Sequence, residues 1–380
     1  MKLLNSIFIV TMLMFISVRI SYAEIPNFDR AVSLETKSET TANASLGDID
    51  GDGDLDIILA KGRHWQLDEL ILINDGKGGF DKRYNLGGKV DRTYTAALVD
   101  LNGDGNLDLA VGNDKPDEKV IYFGDGKGNF KFASSFGDAK WATRNITVVD
   151  LNRDGYPDIV LANRGETLTA NYMCLNDGSG KFPMCKVLST ESATTIAVGD
   201  INRDGFLDLV IPHRDGGQGY FFINDGNGGF ANKYAFGSAK TETRAVSLGD
   251  LNGDKRPDII IGDQVNGGAL IFFNKGRLRF SEPVSIGQKT DSVYSIAVAD
   301  LNNDGRLDIV LGNQKAPGKV MINKGKGQKF EVVSFGDNQG TVYGLALGDV
   351  NADGLPDIVA ARSDAPSMLY LNSLSVKSRR

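Results

Sequence analysis

A nine-residue pattern returns along this chain at a nearly constant interval, and that period constrains the fold more than any local propensity does. Its second occurrence reads Asp100-Leu101-Asn102-Gly103-Asp104-Gly105-Asn106-Leu107-Asp108. Copies begin at Asp48, Asp100, Asp150, Asp200, Asp250, Asp300 and Asp349, in steps of 49 to 52 residues. A unit of that size cannot bury a core alone, so seven of them must stack on one another. The length of 380 residues would otherwise suggest two or three separate domains.

Each repeat reads as four short strands. In the second, Tyr94 to Val99 leads into the nonapeptide and Leu107 to Gly112 leaves it. A connector follows, then Val120 to Phe123, a glycine-rich hairpin turn at Asp125-Gly126, and a more polar strand to Phe136. The turn recurs as Asn74-Asp75-Gly76, Asn176-Asp177-Gly178, Asn224-Asp225-Gly226, Asn274-Lys275-Gly276 and Asn323-Lys324-Gly325, each followed by a phenylalanine expected between neighbouring sheets. The seventh repeat ends its pattern at Leu371-Asn372 without a fourth strand, whereas Asn27-Phe28 to Leu34 resembles one and precedes the first repeat. Pairing the two ends explains both. The expected fold is all-β, a seven-bladed β-propeller of four-stranded blades over 24–374, with the N-terminal strand closing the ring in the last blade.

The nonapeptide itself is suited to a hard cation. Positions 1, 3, 5 and 9 offer side-chain oxygens, position 7 a backbone carbonyl, and the glycine between positions 5 and 7 permits a sharp turn. Blade by blade, the five ligand residues in chain order are Asp48, Asp50, Asp52, Asp54 and Asp56; Asp100, Asn102, Asp104, Asn106 and Asp108; Asp150, Asn152, Asp154, Tyr156 and Asp158; Asp200, Asn202, Asp204, Phe206 and Asp208; Asp250, Asn252, Asp254, Arg256 and Asp258; Asp300, Asn302, Asp304, Arg306 and Asp308; and Asp349, Asn351, Asp353, Leu355 and Asp357. The all-oxygen donor set selects Ca2+ over zinc or copper, and magnesium would require a tighter octahedron. An EF-hand is excluded, because its twelfth-position glutamate would fall on residues such as Leu59 and Val111. Up to seven calcium ions are expected, each pinning the turn between the first two strands of a blade. Blade five should bind weakest, since Lys255 replaces the glycine and adds a positive charge. Blade one, with aspartate at position 3, should be among the tightest.

These residues resemble the FG-GAP/VCBS repeat family, whose apolar-Gly-Asp-Leu-Asn-x-Asp-Gly pattern is seen from Leu248 to Asp258 with one departure. The family includes the integrin α-subunit propeller and integrin-like fungal lectins. The resemblance implies calcium on one rim of a propeller and ligand binding elsewhere.

Residues 1–23 have the form of a secretory signal peptide: Lys2, an apolar run from Ile7 to Val18, and small residues Ser21 and Ala23 before a cut at Glu24. The expectation is an exported protein, periplasmic, secreted or at the cell surface, with no membrane span in the mature chain and a monomeric state. Cys174 and Cys185 flank the turn Asn176-Asp177-Gly178-Ser179-Gly180, so they should face each other across a hairpin, and export makes a disulfide the expected state. The basic stretch 375–380 reads as a disordered tail. The net charge of −7 argues against a nucleic-acid partner.

Positions that vary within a repeating frame are candidates for function. Six residues before each first aspartate stand Ala42, Tyr94, Arg144, Thr194, Arg244, Tyr294 and Tyr343. After the second strands come Arg63 and His64, Lys115, Arg164, His213 and Arg214, Gln264, Gln314 and Lys315, and Arg362. Propeller connectivity puts both sets on the face opposite the cation loops. The residues expected to hold a ligand are Tyr94, Arg144, Arg244, Tyr294, Tyr343, His64, His213 and Arg214. A cationic, aromatic-lined mouth suits an anionic or hydroxylated ligand. The leading expectation is a binding module for a glycan or an extracellular or periplasmic protein. The alternative is a polysaccharide lyase, using His64 or His213 with Tyr94, Tyr294 or Tyr343 and Arg144 or Arg244. A structural or assembly role is the third. No serine elbow, zinc motif or P-loop is present.

Overall fold

The computed structural model describes residues 24–165 and 170–376. These form seven four-stranded antiparallel sheets. In six of them the strands follow chain order. The seventh joins both ends of the chain. Its inner three strands are Thr341–Gly348, Asp357–Ser363 and Met368–Val376, and its outer strand is Glu24–Ser33. The expected seven-bladed propeller is therefore the observed one, closed by the N-terminal strand.

Closure runs further than the sequence suggests. Glu24 pairs with Val376 and Ile25 with Ser375. Ser375 and Val376 thus belong to the last strand and not to a disordered tail, because the extended segment starting at Glu24 offers them a ladder. The remainder of that tail and the expected signal peptide, 1–23, lie outside the described residues.

Second strands such as Asp56–Lys61, Asp108–Asn113 and Asp158–Asn163 are buried at every position. Each lies inside a blade with a neighbouring blade on both faces, so apolar residues on both faces find cover. Outer strands such as Lys82–Asn85 are mostly exposed. The core is divided into seven clusters, each between two adjacent blades. The turn phenylalanines serve these seams: Phe80 packs with Leu369 and Leu371 of blade seven, and Phe182 with Phe136 of blade two. Cys174 and Cys185 stand opposite in register on adjacent strands and form the expected disulfide.

The hairpin-turn asparagines add polar stitches between blades. The side-chain amides of Asn176, Asn224, Asn274, Asn323 and Asn372 donate to the carbonyls of Leu101, Leu151, Ile201, Leu251 and Leu301 at 2.8–2.9 Å. Each acceptor lies in the cation loop of the preceding blade. Blade two has Gly124 at the asparagine position. There the Gly128 N–H donates instead to the Ile49 carbonyl at 2.8 Å.

Candidate functional site

The loops at one end of the blades show what the repeated aspartates do. The position-9 aspartate is fully buried in all seven blades. In blade one, its two oxygens accept from the Ile49 and Asn74 amides at 2.9 and 2.8 Å. The same pair of contacts recurs at Asp108, Asp158, Asp208, Asp258, Asp308 and Asp357. This carboxylate ties the loop to the third strand whether or not it also touches an ion. Burial pushes Asp56, Asp158, Asp208, Asp308 and Asp357 up to about 6 and Asp258 up to about 7.

Blade one fits a cation. Oxygens of Asp48, Asp50 and Asp56 all lie within 4.8 Å of one another. Ligands on opposite sides of a calcium ion at ~2.4 Å are separated by about that distance. Asp50 also carries a buried oxygen without a hydrogen-bond partner. Among the described residues this is the one carboxylate triad so arranged. In blades two, three, four, six and seven the position-3 asparagine donates its amide to the position-5 carboxylate, as from Asn102 to Asp104 at 3.0 Å, Asn152 to Asp154 at 2.9 Å, Asn202 to Asp204 at 2.7 Å and Asn351 to Asp353 at 3.0 Å.

Two loops carry their own cation. Lys255 in blade five adopts φ 65°, the left-handed backbone that glycine takes in the other loops. The Arg256 guanidinium also meets the Asp254 carboxylate at 2.5 Å. Blade six has the regular glycine, yet Arg306 pairs with Asp304 in the same way. Position 7 was expected to matter only through its carbonyl; in these two blades its side chain covers a ligand carboxylate.

The opposite face holds a cavity of about 240 Å³ on the propeller axis. All seven inner-strand positions, Ala42, Tyr94, Arg144, Thr194, Arg244, Tyr294 and Tyr343, line it, together with Arg63, His64 and Arg164. Each first strand begins at this face and each second strand ends there, which is why two distant sequence positions converge. His213 and Arg214 do not line the cavity. His213 turns back within its own loop, with Nδ1 accepting from the Asp215 amide at 3.3 Å. Arg214 is buried and paired with Glu242 at 3.2 Å.

The cavity wall has two parts. On one side, Tyr94 Oη is 2.9 Å from His64 Nε2, and His64 Nδ1 is 3.3 Å from Asp114. Arg144 pairs with Asp114 at 2.5 Å and lies 4.7 Å from the Tyr94 ring centre. Burial, then the charges of Arg144 and Arg63, lower the His64 pKa, so the imidazole is neutral at pH 7. The tautomer that satisfies both contacts donates from Nδ1 to Asp114 and accepts the Tyr94 proton at Nε2. On the other side, Arg63 stacks 3.6 Å from the Tyr343 ring centre and Arg244 4.2 Å from that of Tyr294. The two tyrosines meet edge to face at 5.1 Å. Asp114 was missed in the sequence reading, although it follows a second strand just as Arg164 does.

The repeat itself matches a described family. Six overlapping stretches, 48–111, 100–161, 150–211, 200–261, 250–311 and 301–360, match the FG-GAP-like repeat. The chain belongs to the FG-GAP repeat family. Repeats of this family often bind calcium, in keeping with the blade-one triad. No curated protein sequence matches the chain.

Among solved structures, this FG-GAP propeller is similar to an Agrocybe aegerita lectin described as recognising non-reducing terminal N-acetylglucosamine. The TM-score is 0.59 at 19% identity, over 86% of this chain and 87% of the lectin. It is also similar to BBS1N, solved in complex with ARL6DN. Two such structures, soaked with lead and with mercury, give TM-scores of 0.62 and 0.63 at 13% and 12% identity, over 93–94% of this chain and 98–99% of theirs. At these identities the similarity is one of fold.

Proposed function

We propose that this protein is an exported, calcium-binding propeller that binds a glycan, as a monomer, in the axial cavity opposite its cation loops. The observation that carries the reading is the convergence of the inner-strand positions. The frame repeats around the ring, yet these positions hold Tyr94, Arg144, Arg244, Tyr294 and Tyr343 and meet in one cavity. Rings beside hydrogen-bond donors are how protein sites take polyhydroxylated ligands. The cavity falls below the ~300–1,000 Å³ of drug-sized sites, so it suits a terminal sugar more than a polymer. A lectin of like fold is in keeping with a glycan ligand. The disulfide supports an oxidising compartment outside the cytoplasm. Among the described residues no helix is long and apolar enough to cross a membrane.

Calcium holds the scaffold in this reading, with up to seven sites. Blade one binds tightest. Blades five and six bind weakest, because Arg256 and Arg306 compete for a ligand carboxylate. A glycan array probed with calcium-loaded protein tests the ligand class. Binding that Tyr294→Ala and Tyr343→Ala both weaken supports it. A blank array, or binding indifferent to both changes, overturns it.

One observation favours a second reading. The Tyr94–His64–Asp114 chain could accept a proton from a substrate through the Tyr94 oxygen, with Arg144 beside the ring. That is the equipment of a lyase. Release of an unsaturated uronate product that stops in Tyr94→Phe would select it over simple binding.

A further inference from the structure

Four arginines line the axial cavity, and they differ in how their charge is met. Arg144 pairs with Asp114 at 2.5 Å and Arg164 with Asp215 at 2.8 Å. Arg63 and Arg244 have no carboxylate partner among the described residues. Their Nε atoms are buried and have no hydrogen-bond partner. Among the described residues the Arg63 side chain donates elsewhere only to the Ser363 hydroxyl, at 3.2 Å. What covers the two guanidiniums is a tyrosine face each, Tyr343 for Arg63 and Tyr294 for Arg244.

That arrangement is unbalanced. A cation–π contact offsets only part of a guanidinium's lost hydration and supplies no in-plane acceptor for its N–H groups. A buried donor on a charged group without an acceptor keeps the full cost of its lost hydration. With His64 neutral, the four guanidiniums face two carboxylates, so the cavity is cationic within a chain of net charge −7. Burial and the neighbouring Arg214 and Arg164 charges lower the Arg244 pKa, as an unmet positive charge should be. Arg63 is held at φ 51°, a left-handed backbone that a non-glycine residue adopts only when its surroundings impose it.

Resting on the glycan reading, we infer that the ligand is an acidic saccharide whose carboxylate or sulfate is seated at the wall formed by Arg63, Tyr343, Tyr294 and Arg244. The acidic oxygens accept from the guanidiniums that lack a carboxylate partner, and a sugar ring in the same cavity meets the tyrosine edges. A neutral sugar supplies hydroxyl acceptors and leaves both charges uncompensated. Charge-assisted contacts to guanidinium are about twice as strong as neutral ones, so the acidic group dominates selection. The recognition is therefore distinct from binding of a neutral terminal N-acetylhexosamine.

The experiment uses the full calcium-loaded protein and four probes: glucose, glucuronate, glucose 6-sulfate and inorganic sulfate. Affinity is read by calorimetry and by thermal shift. The expected result is binding of glucuronate or glucose 6-sulfate at least about tenfold tighter than glucose, falling as sodium chloride is raised. Comparison of the two acidic sugars separates carboxylate from sulfate. Arg63→Gln and Arg244→Gln should each weaken the acidic sugar about tenfold or more, and Arg244→Lys should restore part of the loss. Equal affinity for glucose and the acidic sugars overturns the inference and leaves the glycan reading standing. Binding of inorganic sulfate without any sugar keeps the anion site and overturns the glycan reading. Salt-independent affinity, or no response to any anion, overturns the inference even if the arginine variants fail to fold.

Discussion

The side-chain amide of Asn74 donates to the carbonyl of Val350 at 2.7 Å, across 276 residues of chain. Asn74 also donates to the Leu55 carbonyl at 3.0 Å, and its oxygen accepts from the Gly76 and Gly78 amides at 3.2 and 3.1 Å. One buried side chain thus forms its own turn, ties that turn to the cation loop of blade one and fastens blade one to blade seven.

Asn74→Ala should therefore cost about 2–4 kcal/mol, because it strands buried carbonyls and turn amides together. Asn74→Asp separates the two roles. It keeps the acceptor for the turn, loses both donors and sets a charge against two carbonyl oxygens, so it should be at least as destabilising. Urea denaturation measures both. A cost below about 0.5 kcal/mol for either would show that the stitch contributes nothing to closure.

Chelation should lower the melting temperature by several degrees, since calcium bound only to the fold stabilises it by mass action. Calorimetric scans with and without chelator check this, and superimposable traces would remove calcium from the scaffold. Arg306→Ala should raise the affinity of the blade-six loop severalfold by releasing Asp304, read as a tighter step in a calcium titration. An unchanged isotherm would mean that the guanidinium moves aside without cost.

Glu69 gives a pH dependence independent of the cation loops. Burial first, with Asp68 and Asp91 adding charge of the same sign, raises its pKa from 4.5 to about 7, against a lowering hydrogen bond from Thr93. The folded state thus holds a proton that the unfolded chain has lost, and stability rises as pH falls from above 7 towards 4.5. Glu69→Gln should flatten part of that slope and stabilise the protein at pH 8 by up to about 3 kcal/mol. Denaturation midpoints across this range decide it. A variant with the parent slope would locate the proton elsewhere.

His64 should titrate below the usual histidine value of 6.5, because burial and the Arg144 and Arg63 charges oppose its protonation. Arg144→Gln removes one of those charges and frees Asp114, and both effects raise the His64 pKa. The chain has only two histidines, so the proton resonances are readily assigned by His213→Gln. A His64 pKa unchanged or lowered by Arg144→Gln would break the proposed electrostatic link.

Period and spacing made the ring legible, because a repeat fixes topology without any knowledge of contacts. The missing fourth strand after Leu371 and the spare one before Leu34 located the closure for the same reason. The inner-strand positions were legible too, since register places residues six before each first aspartate at the same end of every blade. Side-chain direction beyond the strands was not. His64 and His213 each follow a second strand, yet only His64 lines the axial cavity; His213, three places earlier in its repeat, turns back towards its own loop and the Asp215 amide. Asp114 gains its role only when blades one, two and three bring His64, Tyr94 and Arg144 around it. Nor does spacing say that Arg306 will lie over Asp304, because both a carbonyl ligand and a guanidinium clamp fit the same position.

Glu24–Ser33 and Met368–Val376 lie side by side, so the first and last described segments of the chain are neighbours. A nascent chain must therefore keep the Glu24–Ser33 strand unpaired until Met368–Val376 has been made. Until then it is an open arc with a bare sheet edge at each end, and two such arcs can trade strands with each other. Glu24 and Val376 lie opposite one another in blade seven, so shortening either strand there would loosen the clasp that closes the ring.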